Sequence, residues 1–473
     1  MLTIHNAIAT FVDESTETTA DLHLDGGRVV AGAGYSDQPS NDDRRAAAGH
    51  SDPASNGDRR GPAGHSADSS DETLDATGCV VTPGLVNAHH HLLQSAFRTL
   101  HGTRGVPMAS WLPTMAAAYA EVGIDPELEH AAALVGLAES LLCGVTTVAD
   151  HHLNWPGGPG NTDNVLTVQI ASAAAQAAAE LGARLVFVRG SARDDAEQAA
   201  LSAESIVQAL VPGAEGGVRA DGMLQVAVGP AGVHSDSPET FRLLAEVAER
   251  FGLRRRSQAN EQVDVAIALE KYGRRPIDLL DDWGWLTPDV TLAHLCAVTE
   301  NEIARLSAAG VTATHAPACD LPMGWGIAPV AALRASGIAV GLGTSGGGSN
   351  DASNLLADAR LAMQVAPLVG APIPARQILG MATRGSAAGL GRPELGSLTP
   401  GSAADLCVWD VTGASDAGIA DPVAGLLWAN PGRRPKHVVV AGRVVVRDYR
   451  LVAHDERNIA ADLTTLLTAR RPA

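Results

Sequence analysis

The chain has 473 residues, 45% of them hydrophobic and 18% charged, enough to bury the core of two domains or of one elaborated barrel. Its 34 Lys and Arg stand against 53 Asp and Glu, a net charge of −19, which argues against nucleic acid or an anionic membrane as a main partner. The five cysteines are scattered and form no CxxC, which excludes a disulfide scaffold and a thiolate zinc cluster. The opening MLTIHNAIATFVDES has no basic stretch followed by an apolar core, and no run of 18 apolar residues occurs anywhere. A soluble cytoplasmic protein is expected. Only Lys271 and Lys436 are lysines. Neither sits where a strand runs into a loop, so Schiff-base chemistry and a carbamate-bridged metal pair have no natural residue.

Residues 1–33 read as short strands joined by turns. The chain then turns polar and repetitive: SDQPSNDDRRAAAGH (36–50) is followed at once by SDPASNGDRRGPAGH (51–65), matching at most positions. Without apolar periodicity such a segment cannot offset its ordering entropy, so about 34–72 reads as a flexible insertion. From about 79 to 390, β-rich apolar runs alternate with Ala/Leu-rich helical stretches. The strand candidates are VVTPGLVNA, GVTTVAD, ARLVFVRG, MLQVAVGP, GLRRRSQAN, VTLAHL, VTATHA and IAVGLGT. Helices fall between them, such as PELEHAAALVGLAESLLCG and SPETFRLLAEVAERFG, the latter opening on Ser237 as N-cap. Eight strands with intervening helices predict an α/β fold of the (β/α)8 TIM-barrel type; a doubly wound sheet is the alternative, but no GxGxxG turn follows the first strand. After 396 short strands return. The expected organisation is a β-sandwich built from both chain ends (1–82 and 397–473, the latter with a tail) around a barrel at 83–396.

The strongest chemical signal is PGLVNAHHHLLQS. His89 and His91 are two apart at the end of the first barrel strand, so alternation points both imidazoles to one face, where they can share a metal. The other signals lie at later strand ends. Glu261 in SQANEQ closes the fifth, His294 lies in the sixth, His315 ends the seventh, and GLGTSGGGSND follows the eighth. A lone histidine in an apolar strand is more often a hydrogen-bonded core residue; the shared position at successive strand ends points instead to a site. Buried carboxylate and imidazole at a barrel mouth suit proton transfer.

On the motifs PGLVNAHHH, MASWL, TTVADHH, LAH, MGWGIAP, SNDASNLL and MATRGSAAGLGRPELG, the chain resembles the amidohydrolase superfamily. Within it, the resemblance is to the branch of triazine hydrolases, cytosine deaminases and 8-oxoguanine deaminases, with motifs nearest the s-triazine chlorohydrolase type. It covers almost the whole chain outside 34–72. It implies a metal-binding barrel with a sandwich from both ends, one Zn²⁺ or Fe²⁺, and hydrolytic deamination or dehalogenation at a ring carbon. By the family pattern His89 and His91 are metal ligands, Glu261 is the proton shuttle and His294 polarises the substrate. Gln94, Trp111, His152, Gln258, His315, Trp325 and Ser345 are the candidate substrate contacts. Asn350 and Asp351 follow strand eight, Asp351 with the alternative of capping the next helix.

Two ligand positions depart from the pattern. Where the family has His on strand five this chain has Gln258, and where it has Asp on strand eight this chain has Ser345. An amide oxygen and a hydroxyl are poor zinc ligands beside imidazole and carboxylate. Three readings stay open: an atypical Zn or Fe site anchored by His89 and His91; a metal-independent lyase, cyclase or isomerase using Glu and His acid–base chemistry; and a non-catalytic binder. A small heterocyclic substrate and a homo-oligomer, most simply a homodimer, are expected.

Overall fold

A computed structural model describes residues 1–31, 72–156 and 164–471. The repeat at 36–65, and all of the expected insertion except Glu72, lie outside the described residues; Glu72 opens a strand, Glu72–Asp75.

The eight strand candidates form the barrel: β1 (Leu85–His91), β2 (Val145–His152), β3 (Arg184–Ser191), β4 (Leu224–Pro230), β5 (Arg255–Ala259), β6 (Val290–His294), β7 (Thr312–His315) and β8 (Val340–Leu342). Each pairs in parallel with the next. Strand β8 is broken at Gly343–Thr344, and its continuation Ser345–Gly346 pairs with His90 and His91 of β1, which closes the ring. Gly343 is required at that break, because a Cβ there would stand 2.7 Å from the Cβ of His89. The strands are buried along their length, as a parallel sheet wrapped in helices demands.

Helices follow the strands on the outside. Pro126–Leu142 is capped by Asp125, whose carboxylate accepts the Leu128 N–H at 2.9 Å. Pro238–Phe251 is capped by Ser237 as the sequence predicts, and ends on Gly252 in the left-handed conformation. Asp351 does not cap the helix after β8. That helix, Leu355–Val369, is capped by Asn354, while Asp351 accepts the Gly348 N–H at 3.0 Å and pairs with Arg104.

The two ends of the chain build two sheets. One orders strands 28–30, 22–25, 2–5 and 72–75; the other orders 450–451, 443–447, 437–440, 406–410, 79–83, 9–13 and 16–18. Their facing side chains, including Ile4, Leu24 and Leu74 against Val81, Leu406 and Val439, share one apolar core. The run VVTPGLVNA thus serves two bodies, with Cys79–Pro83 in the sandwich and Leu85–His91 in the barrel. The sequence after 451 is a helix, Glu456–Arg470, laid on Pro126–Leu142 through Leu463 and anchored by Arg470 to Glu127 at 2.6 Å. No helix among the described residues is long and apolar enough to cross a membrane.

Candidate active site

The C-terminal ends of the strands surround a cavity of about 260 Å³. Its wall is largely apolar, with Met108, Trp111, Met115, Met323 and Trp325, and it takes in His91, Gln94, Gln258 and Ser345. Trp111 is held by its indole N–H donating to the Gly348 carbonyl at 2.9 Å. Trp325 packs edge-on against His294, ring centroids 5.0 Å apart. Such a slot matches a flat, mostly apolar ring with a few polar edges.

Alternation on β1 sends His89 and His91 inward and His90 outward, where Thr344 and Ser353 hold it. The His89 and His91 rings stand 4.9 Å apart, and His294 lies 5.3 Å from His89. His91 donates its Nδ1–H to the His151 carbonyl at 2.7 Å, which leaves a lone pair on Nε2. The Nε2 of His89 is buried without any partner. Burial keeps both imidazoles neutral, His91 at about 4 and His89 well below its ordinary value.

The opposite edge is committed differently. His294 gives Nδ1–H to Asp320 at 2.6 Å and Nε2–H to the Gln258 oxygen at 3.0 Å, so both ring nitrogens are donors and the ring is an imidazolium. Burial alone would lower its pKa, but Asp320 and then Glu261 outweigh burial and raise it. Glu261 lies 3.7 Å from His294 Nε2, and both of its carboxylate oxygens are buried without a hydrogen bond. Burial raises its pKa, with the charges of His294 and His234 opposing. Backbone strain gathers here: Asn260, His294 and Ser345 all hold positive φ, at 53°, 74° and 56°.

Gln258 donates its amide N–H to the Ala231 carbonyl at 3.3 Å while its oxygen accepts from His294, so neither end is free. Among the described residues two triads of His, Cys, Asp or Glu bring ligand atoms within 4.8 Å of one another: His294–Cys319–Asp320 and Glu129–Asp150–His152. Neither includes His89 or His91. The first offers no imidazole lone pair, since His294 is a donor at both nitrogens. The donor set at the barrel mouth therefore does not fit a four-ligand zinc centre: two free imidazoles remain, and the other positions are spent on hydrogen bonds or hold a hydroxyl.

Two of the sequence candidates face away from the cavity. His152 is fully buried, donates to the Asn154 carbonyl at 2.8 Å and packs on Trp155, so it is no cavity contact. His315 is buried behind Asp320, with 3.5 Å between Nδ1 and Oδ2. Sequence reasoning missed Asp320, which lies between VTATHA and MGWGIAP. It also missed His234 on the cavity wall, which pairs with buried Asp264 at 3.0 Å. Burial opposes the His234 charge, yet Asp264 carries its pKa up to about 9. Arg256 was a third surprise: it is buried beneath the site and donates to the Ala88 and Gly389 carbonyls, a cation held by backbone alone.

The model of the amidohydrolase family matches residues 80–445, and the chain belongs to that family. It is similar to 8-oxoguanine deaminase of Pseudomonas aeruginosa, 34% identical over 93% of this chain and 92% of that protein. It is also similar to 5-methylthioadenosine/S-adenosylhomocysteine deaminase of Halobacterium salinarum, 32% identical over 85% of this chain and 90% of the other. Among solved structures, atrazine chlorohydrolase of Arthrobacter aurescens TC1 complexed with zinc superposes with a TM-score of 0.84 at 32% identity, over 99% of this chain and 100% of that one.

Proposed function

We propose that this enzyme hydrolyses a substituent, an amine or a halide, from a carbon of a small nitrogen heterocycle, and that Glu261 moves the protons. The buried, unpartnered carboxylate of Glu261 beside His294, which stands directly behind the cavity-lining Gln258 and Trp325, carries this reading. The named relatives support it, since 8-oxoguanine, methylthioadenosine and atrazine are all nitrogen heterocycles.

The ring lies between Trp111 and Trp325. The Nε2 lone pair of His91 on the cavity wall accepts one O–H of a water and holds its oxygen toward the ring carbon, while the other O–H points to Glu261. Glu261 takes a proton from that water as it attacks and delivers it to the departing amine. The His294 imidazolium donates to the adjacent ring nitrogen, where negative charge gathers, and Asp320 keeps it charged. For an amine the balance is ring C–NH2 plus water giving ring C=O plus ammonia. No step passes through a metal.

The test is ammonia or halide release from a panel of amino- and chloro-substituted azines, purines and pterins, with Glu261→Gln beside the natural enzyme. A released product that disappears in the variant, with binding retained, agrees with the reading. Turnover untouched in the variant contradicts the role of Glu261, and no release from any panel member contradicts the reaction class.

A further inference from the structure

Behind the cavity wall, on the far side of β2, lies a second cluster of polar groups that the proposed chemistry does not use. Asp150 and His152 are two apart on β2 and share a face, and Glu129 reaches them from the helix Pro126–Leu142. All three side chains are completely buried. His152 donates Nε2–H to the Asn154 carbonyl, so its Nδ1 carries a lone pair, and the ring is fixed against Trp155 at 4.6 Å and Phe187 at 5.7 Å. That lone pair faces Glu129 Oε2 at 3.6 Å and Asp150 Oδ2 at 4.0 Å. Nδ1, Asp150 Oδ2 and both oxygens of Glu129 have no hydrogen-bond partner. The nearby guanidinium of Arg189 is engaged by Asp194 at 2.9 Å.

Burial pushes both carboxyls toward their neutral forms, Asp150 up to about 7, and a cation seated between the acceptors would hold them ionised and satisfy their lone pairs. A proton shared between His152 and either carboxylate does not supply that charge, because those gaps exceed the roughly 2.5–3.2 Å of an N or O hydrogen bond. They approach instead the edges of a coordination polyhedron: ligands held about 2.0–2.2 Å from one ion in a tetrahedron lie roughly 3.3–3.6 Å apart. Two carboxylates and one neutral imidazole also balance the charge of a divalent ion.

We infer that Glu129, Asp150 and His152 form a structural site for one divalent transition-metal cation, of which Zn²⁺ is the natural probe. The ion ties the helix Pro126–Leu142 to β2. Its effect reaches the active site through the backbone: the other oxygen of Asp150 accepts the Leu92 N–H at 2.8 Å, one residue past His91, and the next carbonyl, of His151, holds the His91 ring. The ion thus positions the β1 histidines without touching substrate.

The experiment is metal content per chain in full-length, tag-free protein loaded with Zn²⁺ and then dialysed. It is made on His89→Ala/His91→Ala, which removes the free imidazoles of the cavity, and on the same protein with Glu129→Leu, an apolar residue of similar volume. About one zinc per chain in the first and none in the second is the expected result, together with a zinc-dependent rise in melting temperature in the first alone. No zinc in the first protein overturns the site, and so does zinc that survives Glu129→Leu. If Glu129→Leu fails to fold, Co²⁺ spectra of the first protein with and without His152→Gln decide the matter: a visible ligand-field band that ignores the loss of His152 also overturns it. Neither readout needs turnover, so failure here leaves the proposed reaction standing, and failure there leaves this site standing.

Discussion

The two edges of the cavity floor are built from the same residue types and end in opposite states. On β1, His89 and His91 are neutral, and each keeps a lone pair for something else to use. Across the barrel, His294 carries two protons and spends both, on Asp320 and Gln258. The difference comes from the neighbours. A backbone carbonyl fixes a neutral tautomer, whereas a buried carboxylate at 2.6 Å fixes a cation. One edge therefore accepts hydrogen bonds and the other donates them, with the free carboxylate of Glu261 beside the donor. That polarity suits a water entering from the β1 side and charge developing on the β5–β7 side. It also explains how the family's reaction class can survive the exchange of His for Gln258 and of Asp for Ser345.

The contrast between the edges can be broken at several points. The largest effect is expected from Glu261→Gln, which leaves the cavity intact but removes the proton carrier. The rate constant kcat should fall about 1,000-fold with ligand affinity within a few-fold of the natural enzyme, as measured by steady-state kinetics and calorimetry. Next, Gln258→His with Ser345→Asp returns two good ligands to the free pair on β1. Zinc affinity at the cavity should rise more than about 100-fold, since even the loss of an outer partner costs metal sites up to that much. Competitive chelator titration in a Glu129→Leu background isolates this effect. A third prediction concerns stability. His234 titrates at about 9 instead of 6.5 because of Asp264, so the pair's contribution is full below 6.5 and fades as pH rises through 9. Asp264→Asn should lower stability at pH 6 by roughly 1–3 kcal/mol and flatten its decline between those pH values, read from urea unfolding at several pH values. The smallest effect is that of Asp320→Asn. His294 then loses the carboxylate that raises it, so its charged form disappears at lower pH. The alkaline limb of kcat against pH should move to lower pH, with a loss of about tenfold at neutrality.

Much of this was legible in the sequence because it follows from periodicity. The eight barrel strands stand where their apolar runs fall, and Glu261, His294, His89 and His91 come together because each lies at the end of such a run. What stayed hidden depends on the third dimension. His152 reads like a cavity residue from its place at the end of β2, yet its ring turns behind the wall to Asn154 and Trp155. Asp320 lies outside the motifs, and only the fold brings it onto His294 from five residues past β7. Glu129 gave no signal, since a glutamate in the first turn of a helix reads as a favourable end charge. Its burial against Asp150 comes from helix packing. The three consecutive arginines at 254–256 in GLRRRSQAN did not hide the fifth strand, but their partners, backbone carbonyls and Asp289, are set by the fold.

The central claim is that the donor edge and Glu261 carry hydrolysis without a metal held at the barrel mouth. Turnover of the best heterocycle by Glu129→Leu protein, which lacks the inferred structural site, before and after exhaustive dialysis against a strong chelator, tests it most directly. The account predicts an unchanged rate, and no stimulation when Zn²⁺ is returned. A rate that vanishes on dialysis and returns with about one equivalent of Zn²⁺, in protein carrying Glu129→Leu, would contradict it and make His89 and His91 the anchor of a working metal centre.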